Sequence, residues 1–101
     1  MWRQFIQTLL VLSVPMRLLV APATAQEIPD FDSAGLCEER AGGSGEAAVR
    51  RCRFAEDYGL SELETFWPAT STAIRETCVE QLKEQSYAEL ARCVLRLRRA
   101  R

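Results

Sequence analysis

The chain has 101 residues, with 13 basic and 14 acidic side chains, no histidine and 48% hydrophobic residues. That length leaves room for one domain, and the mixed charge gives no strong field of one sign to attract an oppositely charged polymer. The absence of histidine removes the commonest general base and metal ligand, so any hydrolytic or zinc chemistry would need other groups.

Residues 1–25 read as a secretory signal peptide. Arg3 gives a short basic start, Phe5 to Val14 is an apolar run broken only by Gln7, Thr8 and Ser13, and Ala23-Thr24-Ala25 offers the small residues of a cleavage site. Arg17 leaves the apolar run too short for an ordinary membrane span, which sets an uncleaved anchor behind cleavage. Cleavage after Ala25 starts the exported chain at Gln26. Losing Arg3 and Arg17 leaves 11 basic against 14 acidic side chains, a net charge of −3. No acid follows Glu89, whereas Arg92, Arg96, Arg98, Arg99 and Arg101 crowd the end.

Residues 26–34 carry Pro29 and two Asp without periodicity and read as an extended lead-in, with Phe31 available to pin it to the domain at 35–101. A short helix from Ser33 or Ala34 to Ala41 follows, N-capped by Asp32 or Ser33 and stopped by Gly42-Gly43-Ser44-Gly45. Ser44 can cap the next helix, from about Gly45 to Trp67, in which Val49, Cys52, Ala55, Leu63 and Phe66 fall near one face. Gly59 is a soft spot in it, followed by a capping-box pattern at Ser61 and Glu64. Pro68 stops that helix. Ile74, Cys78 and Leu82 mark a third, from about Thr72 to Glu84, and Gln85-Ser86 makes a turn. Ser86-x-x-Glu89 is a second capping box, opening a fourth helix whose apolar face is Tyr87, Leu90, Ala91, Val94 and Leu97.

The fold class expected is therefore all-α, a small four-helix domain of two helical hairpins with antiparallel neighbours. Cys37-x14-Cys52 and Cys78-x14-Cys93 share one frame, each pair flanking a turn at similar distance. In an exported chain of about 76 residues, whose core alone is marginal, four cysteines read as two disulfides. Hairpin geometry ranks Cys37–Cys52 with Cys78–Cys93 first. A nested arrangement, Cys37–Cys93 with Cys52–Cys78, stands second.

The chain resembles a set of small, uncharacterised exported four-cysteine helical proteins of alphaproteobacteria. The resemblance rests on the opening cysteine and glycine-rich turn, a second cysteine followed by Glu56, Trp67, Arg75 before Cys78, and the Ser86-Tyr87-x-Glu89-Leu90-x-x-Cys93 closure. It covers about residues 36–95 and departs at Glu84-Gln85 and after Cys93. It implies a helical fold and a periplasmic or secreted setting, and it brings no activity.

Chemistry is scarce. Cysteine spacings of 14, 25 and 14 do not match structural zinc sites, whose ligands sit two to four residues apart, and Cys-x-x-Cys is absent. Glu56, Asp57, Glu62 and Glu64 are spaced as a solvated helix face. No catalytic, cofactor-binding or metal residue is assigned, and the chain reads as a non-enzyme without cofactors. The candidate binding residues are the arginines Arg92, Arg96, Arg98, Arg99 and Arg101, together with Phe66 and Trp67. For the arginines helix capping is the plainer role, and for the aromatic pair closure of the core. The function expected is a structural or protein-interaction module of the bacterial envelope. The alternative is an anionic-surface binder, for lipid or lipopolysaccharide, through the arginine tail. A carrier of a small molecule or metal would need a cavity. Partners are thus an envelope protein or an anionic lipid surface, with nucleic acid disfavoured by export.

Overall fold

The computed structural model describes residues 27–100. The signal peptide read at 1–25, its cleavage site and Arg101 lie outside them. Among the described residues there are four α-helices and no strand: α1 (Ser33–Ala41), α2 (Glu46–Phe66), α3 (Thr72–Glu80) and α4 (Tyr87–Arg99), with a 3-10 turn at Trp67–Ala69.

The first hairpin forms as its local chemistry dictates. The Asp32 carboxylate accepts the Gly35 N–H at 3.0 Å and caps α1, while Gly42, left-handed at φ 50° and ψ 39°, ends it. Ser44 does not cap α2. Gly45 takes that position at φ 100°, a conformation costly for any residue with a Cβ, and no side chain caps this end.

Disulfides Cys37–Cys52 and Cys78–Cys93 close the two hairpins, with Cα–Cα distances of 5.5 and 5.6 Å. Each constrains a loop of comparable length, worth ~3 kcal/mol in the chain-entropy view. Non-reducing tryptic mapping should therefore join the peptide ending at Arg40 to Cys52-Arg53, and residues 76–83 to residues 93–96. A peptide containing both Cys52 and Cys78 through a disulfide would contradict this.

The hairpins meet along α2 and α4. Gly59 lies against Tyr87 and Ala88, and one helical stretch further on Phe66 lies beneath Arg98, so α2 and α4 run in the same sense. The core consists mainly of Leu63 and Trp67 from the α2 end, Ile74 and Cys78 from α3, and Tyr87, Leu90, Ala91 and Val94 from α4.

The lead-in is part of this body. Ile28 and Phe31 pack against the core, the Phe31 and Tyr87 rings are 4.9 Å apart, and the Tyr87 hydroxyl donates to the Pro29 carbonyl at 3.0 Å while accepting the Phe31 N–H at 2.8 Å. The boundary expected at residue 35 thus falls inside α1, and the folded unit begins at about Ile28.

The single helix expected through Gly59 is found, and Gly59 is buried against another backbone. Two further expectations are corrected. The buried stripe of α2 is Glu56, Gly59, Leu63 and then Trp67, with Ala55 exposed. The third helix ends at Glu80 rather than Glu84: after the last i→i−4 bond, from Gln81 to Thr77, the Leu82 N–H tightens to Val79 and the Lys83 N–H leaves the helix for the Glu89 carboxylate at 2.9 Å.

Candidate functional site

Among the described residues two charged side chains are buried, and both serve helix ends. Glu56, 1% exposed, was expected on a solvated face. Its carboxylate instead accepts the Tyr87 N–H at 2.8 Å, the Ala88 N–H at 3.2 Å, the Ser86 hydroxyl at 2.6 Å and the Ser33 hydroxyl at 3.4 Å. Ser86 in turn accepts the Glu89 N–H through Oγ at 3.1 Å, and its carbonyl accepts the Leu90 N–H at 3.0 Å. All the amides that open α4 are thereby satisfied, two of them by a residue of another helix. The anion also sits where the positive end of the α4 dipole favours it. The capping box read at Ser86 and Glu89 is half formed, since Glu89 turns to Lys83.

Arg75 is the counterpart at the far end of α2. Its Nε and Nη2 donate to the Trp67 carbonyl at 3.2 and 2.7 Å, and its guanidinium lies 5.3 Å from the Trp67 ring centroid. A cation at a helix C-terminus is favoured by the dipole, and stacking on tryptophan adds to it. Trp67 is 3% exposed, so the recognition patch considered for Phe66 and Trp67 is not formed: Trp67 is core, and half-buried Phe66 lies beneath Arg98.

The arginine tail divides. Arg98 Nη1 donates to the Ala69 carbonyl at 3.0 Å and to Thr70 Oγ1 at 3.2 Å, with its guanidinium 5.3 Å from the Phe66 ring centroid. It clamps the turn between α2 and α3. Arg96 approaches the Cys93 sulfur at 3.9 Å, and exposed Arg92 and Arg99 make no ion pair among the described residues. Replacing Arg98 with Gln should therefore cost about 1 kcal/mol in denaturant unfolding, while Arg99→Gln should leave the midpoint unchanged. Equal effects from the two would show that the tail acts only through its overall charge.

What the sequence reading missed is the outer face of α2. Phe54 and Tyr58 are 73% and 61% exposed, the large hydrophobic side chains left in solvent among the described residues. Four residues apart, they share one face of the helix, opposite the stripe of Glu56, Gly59 and Leu63. A shallow depression beside Phe54 is lined by Val49, Arg50, Arg53 and Asp57. The signal was available: placing Glu56 on the buried stripe necessarily turns positions 54 and 58 outward.

All four cysteines are consumed in disulfides, which removes them as zinc ligands. No family model, no curated protein and no solved structure matches this chain.

Proposed function

We propose that the protein is an interaction module of the bacterial envelope, binding a protein partner through the outer face of α2. The observation that carries this reading is the exposure of Phe54 and Tyr58. Aromatic side chains bring large contact area at low entropic cost and dominate interface energetics, so leaving two adjacent ones in water is informative where the other aromatics among the described residues are buried wholly or in part. The two disulfides are consistent with an oxidising, extracytoplasmic compartment and support a periplasmic or secreted setting. The buried Glu56 and Arg75 act on helix ends, which supports a binding role over a catalytic one.

The rival, an anionic-surface binder acting through the arginine tail, loses its central residue to the contacts of Arg98 with Ala69 and Thr70. The test is capture from an envelope extract by the disulfide-bonded chain and by a Phe54→Ala, Tyr58→Ala variant with an unchanged melting temperature. The expected result is a stoichiometric partner retained by the wild type and lost by the variant. Equal retention by both, or salt-sensitive vesicle binding that needs Arg92 and Arg99, would overturn the proposal.

A further inference from the structure

The outer face of α2 carries its charge in a definite order. Arg50 and Arg51 precede the aromatic pair and Glu62 and Glu64 follow it, with Phe54 and Tyr58 between. A helix turns once every 3.6 residues, so positions with nearly whole-turn separations share a flank. Arg51 and Glu62, eleven residues apart, lie along one edge of the aromatic stripe, while Arg50 and Glu64, fourteen apart, lie along the other. In an antiparallel pairing of two such helices, each edge meets the same edge of its partner. A single twofold axis crossing near residues 56 and 57 then sets Phe54 against Tyr58 of the other copy, Arg51 against Glu62, and Arg50 against Glu64.

We propose that the occupant of this face is a second copy of the same chain, forming an antiparallel α2–α2 homodimer. The proposal rests on the reading of this face as an interaction surface and names its partner. One axis sets the aromatic pair, Arg51 with Glu62 and Arg50 with Glu64 against each other, as an isologous interface requires, while Asp57, on the Arg50 edge beside the axis, faces its own copy and weakens the pairing. The present partner of Arg50 is a solvated contact with Glu46 at 3.7 Å, which gives way at little cost. Acidic groups on both edges and Asp57 beside Phe54 count against an anionic lipid surface as occupant. One helix face buries less than a standard stable interface, so the dimer is a concentration-dependent one.

The experiment is sedimentation velocity of the disulfide-bonded protein over a wide concentration range. Dimer should appear as concentration rises, and Phe54→Ala with Tyr58→Ala should weaken it by at least roughly 100-fold, as expected for losing aromatic anchors. Two charge variants sharpen the test. Arg50→Glu with Arg51→Glu, and Glu62→Arg with Glu64→Arg, should each be more monomeric than wild type, with helix content and melting confirmed. Their equimolar mixture should associate as a heterodimer about as strongly as wild type, because positions 50 and 51 again meet opposite charges at 64 and 62. A wild type that stays monomeric throughout, or variants whose mixture does not associate, overturns the homodimer. If a monomeric wild type still captures another protein through Phe54 and Tyr58, the interaction module stands and only its partner changes. If it captures none, both readings fail.

Discussion

Replacing Glu56 with Ala should destabilise the protein by about 3–5 kcal/mol, the usual cost of removing one member of a buried charged network. The expectation follows from what the carboxylate leaves behind. The Tyr87 and Ala88 amides would lose their acceptor in a buried seam, and the Ser86 hydroxyl would lose the strongest of its contacts. For a domain of this size each 1 kcal/mol moves the melting temperature by roughly 4–8 °C, so the drop should be at least about 12 °C. Glu56→Gln should fall between, at about 1–3 kcal/mol. It retains length and one acceptor oxygen, Ser86 Oγ can accept from the new amide, and the Ala88 N–H is left facing a donor. Thermal or denaturant unfolding with the disulfides intact measures both. If both variants melt within a degree or two of wild type, Glu56 does not join the hairpins.

Gly59→Ala should also destabilise, by about 1–3 kcal/mol, and here the sign is the test. In an ordinary helix interior this change stabilises by roughly 0.5–1 kcal/mol. At Gly59 a Cβ would lie 2.7 Å from the Ala88 N, 2.8 Å from the Ala88 Cα and 2.8 Å from the Tyr87 carbonyl carbon. These are backbone atoms at the start of α4 and cannot swing aside as a flexible side chain would. The α4 terminus must retreat, which strains the packing and lengthens the bonds to Glu56, one turn earlier on the same face. A variant more stable than wild type would show that α2 and α4 are not in close backbone contact.

The two positions also show where sequence reasoning succeeds and where it stops. The cysteine frame, the Asp32 cap, the glycine turn after Ala41 and the start of α4 at Ser86 are governed by neighbours within a few residues, and spacing and cap chemistry find them. Glu56 and Gly59 depend on residues about 30 positions away. Read locally, a glutamate in a helix looks solvated and a glycine looks like a weak point. Their real roles appear only when α4 lies beside them. A reading that places Glu56 in solvent moves the stripe toward Ala55 and hides the exposure of Phe54 and Tyr58.

The candidate site was correspondingly less legible than the fold. Glu56, Trp67, Arg75, Ser86 and Tyr87, residues on which the expected resemblance rests, all hold helix ends, core or lead-in in place. Arg98 has a position that sequence could not supply, since its acceptors are a carbonyl and a hydroxyl in the turn before α3.

The central claim is that a carboxylate of one hairpin caps the opening helix turn of the other, and amide hydrogen exchange tests it most directly. The first amides of a helix ordinarily have no intrahelical acceptor and exchange quickly. Thr72 and Ala73, at the start of α3, have no such acceptor among the described residues and serve as the internal control. The account predicts that the Tyr87 and Ala88 amides exchange only with global unfolding, orders of magnitude more slowly than those of Thr72 and Ala73. Exchange at Tyr87 and Ala88 as fast as in the control pair would contradict it.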